Sequence, residues 1–262
     1  MHNSLTDSRM LLTLLSSLLY ITSMMLLHSR QKPKTVLISG TMVAAIALHW
    51  VQTFNGLGAL NDVAIFNILS LITVCMAMIG ALRYFLQSDQ SAYTVVSLVA
   101  AVCVWFPLIF NKIHMPIDSW GLKFHIVLSI AAYISLGFGA LYACFLLLQD
   151  YRLRKGNDVF SSSLSLSYLE RTMLRFTVFG EMILTLSLAT GLLFIYDFWA
   201  QHISHKVVFG FISWAIIAIL LLRHYRQGVR GRQAAIWVLS GFACLILAYF
   251  GSAFVLQLIF HR

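Results

Sequence analysis

Long apolar runs, each closed by a short polar or basic stretch, organise this chain from end to end. A helix needs about 20 mainly apolar residues to cross the hydrocarbon core of a bilayer. Eight runs approach or meet that length: Met10–Leu27, Val36–Phe54, Val63–Leu82, Tyr93–Phe110, Phe124–Leu148, Thr177–Trp199, Val207–Leu222 and Ile236–Phe260. The seventh is short and is expected to extend into Arg223 and His224 or to begin at Ser204. The pattern predicts an all-α polytopic membrane bundle of eight transmembrane helices. No connection is long enough to fold by itself, so residues 1–262 are read as a single integral membrane domain whose chemistry lies at or in the membrane.

The polar stretches between the runs carry the orientation signal, because Lys and Arg collect on the cytoplasmic side. The first, third, fifth and seventh connections hold 13 of the 18 basic residues, including Arg171, Arg175, Arg223, Arg230 and Arg232. The opposite side holds 5: Arg9, Lys112, Lys123, Lys206 and Arg262. Both termini are therefore expected on the outer, periplasmic side of a bacterial inner membrane. The first run ends in His28-Ser29-Arg30-Gln31-Lys32 with no small-residue cleavage site, so it is expected to remain as a span rather than act as a cleaved signal. In the connection 149–176, Tyr168-Leu169-Glu170-Arg171 is expected as a short amphipathic helix on the inner surface.

Composition sharpens the class. Hydrophobic residues make up 60% and charged residues only 10%, where a soluble chain has about 25% charged residues. Mean hydropathy is +0.85. Water-soluble enzymes and free nucleic-acid binders are excluded, and the net charge of +9 is assigned to basic loops facing anionic lipid. Cys75, Cys103, Cys144 and Cys244 all lie in apolar runs without a CxxC pair, as expected of small packing residues.

Nine histidines in so apolar a chain are the informative feature, since ionisable groups in a membrane are costly and mark function by default. His2, His49, His114, His125, His202, His205 and His261 fall at the outer level, whereas His28 and His224 fall at the inner one. His49 lies five residues before the outer end of the second span, His125 opens the fifth, His205 precedes the seventh and His261 closes the eighth. Imidazole pairs serve haem iron, copper or zinc, or relay protons. HExxH and HxxxH are absent from every run, which places haem ahead of zinc.

His125, Ser129 and Tyr133 recur at helical spacing, and Gly137 and Ala140 continue the stripe with small residues. Such a face admits either a neighbouring helix or a flat ligand. Glu181, near the inner end of the sixth span, is expected to pair with Arg83, Arg175, Arg223 or His224. Asn67 and Ser70 are expected to hydrogen-bond to a neighbouring helix.

Four stretches in the second half form a recognisable set. They are Lys123-Phe124-His125 through Ser129, Tyr133, Gly137 and Gly139; Leu169-Glu170-Arg171 through Arg175, Phe179-Gly180, Thr185 and Thr190-Gly191; His205-Lys206 with Trp214; and Gly228-Val229-Arg230-Gly231-Arg232 with Gly241-Phe242 and Tyr249-Phe250-Gly251-Ser252. Together they resemble the cytochrome c assembly superfamily of haem-handling membrane proteins, which includes CcsA/ResC and CcmC. Within it they are most similar to the HemX/YpjD-like branch of eight-span proteins. The resemblance covers about residues 120–258; residues 1–115 match only in kind, with His49 as the comparable feature. The family's tryptophan-rich outer loop is here Tyr196-Asp197-Phe198-Trp199-Ala200-Gln201-His202-Ile203-Ser204-His205, with Trp199 as its single tryptophan. The family's histidine at the inner end of the seventh span falls on Leu222, and His224 stands two residues on.

The resemblance implies haem held near the outer face by histidine ligands. His125 is the first candidate, and His49, His205 and His261 compete for the second position; His125 and His205 are the candidate iron ligands. It implies cytochrome c assembly or haem-biosynthesis proteins as partners, beside membrane lipid. The same resemblance accommodates a regulatory or scaffold protein that has lost haem handling. No nucleophile–base pair or metalloprotease motif is present, so no enzymatic activity is expected, and no nucleic-acid partner is expected. The two halves show no inverted repeat of the kind transporters use.

Overall fold

The computed structural model describes residues 2–29, 35–57, 64–110, 119–155, 164–194 and 204–254. In chain order the helices are α1 (His2–Leu27), α2 (Thr35–Leu57), α3 (Ile65–Gln87), α4 (Gln90–Cys103), α5 (Phe106–Phe110), α6 (Trp120–Arg154), α7 (Leu166–Phe194), α8 (Ser204–Gln227) and α9 (Gly231–Phe254). Among the described residues there is no strand, and eight helical segments are long and apolar enough to cross a membrane. The all-α polytopic architecture expected from the sequence is the one observed.

The chain divides into two compact units, Met1–Asp118 and Ser119–Arg262. In the first unit, α1 packs on α2 and α4, α3 packs on α2 and α4, and α5 lies against α3. In the second, α6 packs on α7 and α9, while α8 packs on the same two partners. Among the described residues each unit is thus a bundle of four spans closed in chain order, α4 and α5 together making the fourth span of the first unit. The first buries Ile38, Met42, Ala81 and Tyr93 together; the second buries Ala132, Leu136, Leu184, Ile217 and Leu245.

Two elements differ from the sequence expectation. The fourth span is interrupted at Val104–Trp105 between α4 and α5. Pro107 is the cause: it lacks the N–H that would bond the carbonyl of Cys103, and its ring crowds that carbonyl. The side-chain amide of Gln52 donates to the Val104 carbonyl at 2.9 Å, within the interrupted turn. Such partners are what make a broken helix tolerable in a membrane.

The second difference concerns Tyr168–Arg171, which are not a separate surface helix but the first turns of α7. No Gly or Pro interrupts the stretch from Leu166 to Phe179, and the Ser165 hydroxyl accepts the Tyr168 N–H at 3.2 Å as an N-cap. The seventh span extends in both anticipated directions, to Ser204 and to Gln227.

Candidate functional site

In the second unit, the start of α6 lies against the end of α7, and polar residues from both helices meet there. The Nδ1 of His125 is 2.8 Å from the backbone carbonyl of Ser187. A carbonyl only accepts, so Nδ1 carries the ring proton and donates it. In the neutral ring the lone pair then sits on Nε2. The nearest hydroxyl to that nitrogen, Ser129 Oγ, is 3.5 Å away. Its single proton is better used on the carbonyl of His125, at 2.8 Å. The Ser187 hydroxyl completes the cluster at 2.8 Å from Ser129 Oγ, and Thr190 Oγ1 lies 3.3 Å from His125 Nδ1.

Space for this ring comes from Gly191. A Cβ at that position would lie 2.9 Å from His125 Cε1 and 3.3 Å from Nδ1. The imidazole therefore rests against bare backbone, held on one side by Ser187. A histidine whose Nδ1–H is fixed by a backbone carbonyl, with Nε2 left as a lone pair on a half-buried ring, has the arrangement of a metal-ligating imidazole.

The rest of the His125 stripe is helix packing. Tyr133 donates to the carbonyl of Leu245 on α9 at 2.9 Å, and its ring meets that of Tyr249 edge-on at 5.6 Å. Gly137 and Ala140 are buried. Nearby, the Trp214 indole N–H donates to Thr185 Oγ1 at 2.9 Å, joining α8 to α7.

His49 occupies a different setting, inside the first unit and fully buried. Its Nδ1 is 3.2 Å from the Tyr20 hydroxyl and its Nε2 is 2.9 Å from Ser70 Oγ. Ser70 is in turn 3.0 Å from Thr53 Oγ1. Both ring nitrogens are engaged, so this imidazole could ligate a metal only by giving up a hydroxyl. The expectation for Asn67 and Ser70 is met: Asn67 donates to the Gly56 carbonyl on α2 at 2.9 Å, and Ser70 bonds His49 on the same helix.

His205 lies in the first turn of α8, at the end of the second unit that holds His125, because successive helices run up and down. Its side chain, the segment containing Trp199 and His202, and all of His261 lie outside the described residues. Among the described residues, no cluster of three or more His, Cys, Asp or Glu could hold a metal ion by itself.

Glu181 does not form the ion pair expected of it. Its carboxyl group is buried, and neither oxygen has a hydrogen-bond partner among the described residues. Arg223 instead bonds Gln227 at 3.0 Å and lies over the Trp237 ring, while His224 Nδ1 donates to the Val229 carbonyl at 2.8 Å. Sequence reasoning missed Ser187 and Gly191 as partners of His125. Helical spacing from Thr185 and Thr190-Gly191 could have found the face, but only packing reveals that α6 lies on it.

Residues 63–260 match the family model described as "Cytochrome C assembly protein". The match begins two spans earlier than the sequence resemblance at residue 120. The chain is 37% identical over 140 residues to "Inner membrane protein YpjD" of Escherichia coli (strain K12), covering 53% of each chain. It is 32% identical over 89 residues to "Cytochrome c biogenesis protein CcsA" of Prochlorococcus marinus (strain MIT 9515), covering 33% of this chain and 28% of that one. It is also 23% identical over 240 residues to the protein of the same name from Cuscuta exaltata, covering 79% and 76%. The matched stretch thus spans about half the length of the YpjD relatives. No solved structure is a significant match. With a family match over most of its length and eight membrane-spanning segments, the chain belongs to the cytochrome c assembly family, as a multi-pass protein of the bacterial inner membrane.

Proposed function

We propose that this protein holds haem near the outer face of the membrane, with His125 as an axial ligand through Nε2. The observation that carries the reading is the 2.8 Å bond from His125 Nδ1 to the Ser187 carbonyl, which fixes the ring and leaves Nε2 available. Ser187 and Gly191 are positioning residues: one anchors the imidazole and the other leaves room for it. The second ligand in this reading is His205, which opens α8 at the same end of the second unit as His125, or His261, which follows α9 in the sequence. His49 would serve only by exchanging Tyr20 or Ser70 for iron.

Bound haem would supply an iron centre, and two histidine ligands would leave no open position for oxygen chemistry. The protein's own contribution is to hold and present the group. Cytochrome c assembly or haem-biosynthesis proteins are the partners that suit this role. Both termini and the His125 cluster face outward in this reading, in keeping with the distribution of basic residues.

The test is an oxidised and reduced absorbance spectrum of the detergent-purified protein supplied with haem, together with a pyridine haemochrome assay. A Soret band with sharp reduced α and β bands, lost in His125→Ala, is expected. A well-folded protein that takes up no haem would overturn the proposal. It would favour a second reading, a regulatory or scaffold partner that kept the fold without the ligand. That alternative draws on the sequence, in which the stretch 196–205 holds a single tryptophan, Trp199.

A further inference from the structure

The opposite end of the second unit contains a groove of about 700 Å³ between α7, the end of α8 and the α8–α9 connection. Arg171, Arg175 and Arg230 line it. It is separate from the His125 cluster. Arg171 precedes Ser187 by 16 residues on one continuous helix, or ~24 Å at ~1.5 Å per residue.

The connection that carries Arg230 is fixed in place. Gly228 and Gly231 adopt left-handed backbone angles, φ 67° and 58°, which a side chain would strain. The His224 ring donates to the Val229 carbonyl at 2.8 Å. The Glu170 carboxylate accepts the Gly231 N–H at 3.2 Å, tying α7 to the start of α9. Glu170 is the groove's acidic residue, and it is engaged in that bond. The three guanidiniums form no ion pair among the described residues.

Above the arginines the groove becomes apolar. Val178, Phe179 and Met182 continue its wall along α7, with Phe179 and Met182 60% and 62% exposed. Charge lies at the helix ends, where headgroups lie, and exposed apolar surface begins where acyl chains begin.

We infer that this groove binds an anionic phospholipid, its phosphate held by Arg171, Arg175 and Arg230 and an acyl chain laid along Val178, Phe179 and Met182. A free phosphate could use the same guanidiniums, but it would leave the apolar wall without a role. Basic pockets between membrane helices are suited to such headgroups, and each basic residue near the surface contributes about a fivefold gain in binding.

The test is native mass spectrometry of the full chain in detergent, titrated with phosphatidylglycerol, phosphatidylethanolamine or millimolar inorganic phosphate. Phosphatidylglycerol adducts should dominate, and inorganic phosphate should not displace them. Arg175→Gln with Arg230→Gln should weaken phosphatidylglycerol binding ~25-fold, and Arg230→Gln alone about fivefold. The single substitution on the connection provides the readout if the double variant folds poorly. Arg152→Gln, an exposed charge outside the groove, should change nothing. Equal retention of the two lipids, or undiminished binding in the double variant, would overturn the inference. Displacement by inorganic phosphate would overturn the lipid assignment in favour of a soluble phosphate ligand.

Discussion

Gly191→Ala tests whether the His125 imidazole is held where the bond to Ser187 places it. The added methyl carbon would stand 2.9 Å from Cε1 and 3.3 Å from Nδ1. Non-bonded carbons prefer about 3.5–4.0 Å, so the ring must retreat by roughly 0.6–1.1 Å. Such a shift away from α7 breaks the 2.8 Å bond to Ser187. Overpacking of this kind costs about 1–3 kcal/mol, and replacing a helical glycine by alanine returns about 0.5–1 kcal/mol. A net loss of about 1–2 kcal/mol is expected, read from thermal unfolding followed by circular dichroism in detergent. In a His125→Ala background the clash is gone, and the same substitution should be neutral or mildly stabilising. The cycle should therefore give a coupling of about 1–3 kcal/mol between the two positions. Haem uptake by Gly191→Ala should fall with the ring's displacement. Equal destabilisation in both backgrounds would refute the contact.

Other residues give further tests. Glu181→Gln keeps the shape of a buried, unpartnered side chain while removing its charge; it should unfold at the same temperature or higher, whereas Glu181→Lys should sharply reduce the yield of folded protein. His49→Ala removes a ring bonded to two helices and should cost about 3–4 kcal/mol from the cavity and the orphaned hydroxyls, measured by the same melts. Asp89 caps α4 at the Ala92 N–H and lies 3.5 Å from Arg83. Asp89→Ala should therefore cost about 1–2 kcal/mol, and Asp89→Asn, which can still cap, less.

Much of this architecture is legible in the chain because apolar run length is the dominant constraint in a bilayer. The fifth span begins near Phe124 on hydropathy, and α6 starts one turn earlier at Trp120. Hydropathy fails where a polar stretch joins a helix without a break. Tyr168–Arg171 are too charged to count as membrane-embedded, yet nothing in their backbone ends the helix. It fails again at Pro107, because an apolar proline leaves the run intact while breaking the ladder. The site divides along similar lines. His125 stands out by residue type and position. Its anchor, however, is a backbone carbonyl, and Ser187 carries no signal that its carbonyl faces another helix. The expected partner of Glu181 failed for a related reason: residues at one membrane level need not share a helix face.

The order in which each bundle closes bears on biogenesis. Successive helices are neighbours within both units, and each closing contact joins the first span of the unit to its last. A chain entering the bilayer from its N-terminus can pair each new span with the one just inserted. The first bundle then has all its partners before the second begins to emerge. Sequence-local pairing shortens the time that polar groups such as His49, Thr53 and Ser70, which bond between the consecutive helices α2 and α3, face lipid unpaired. Translation pausing near residue 118 should consequently be tolerated, whereas a pause after α3 would leave Gln52 without the Val104 carbonyl and Ser23 without the Tyr93 hydroxyl, both of which arrive with the closing span.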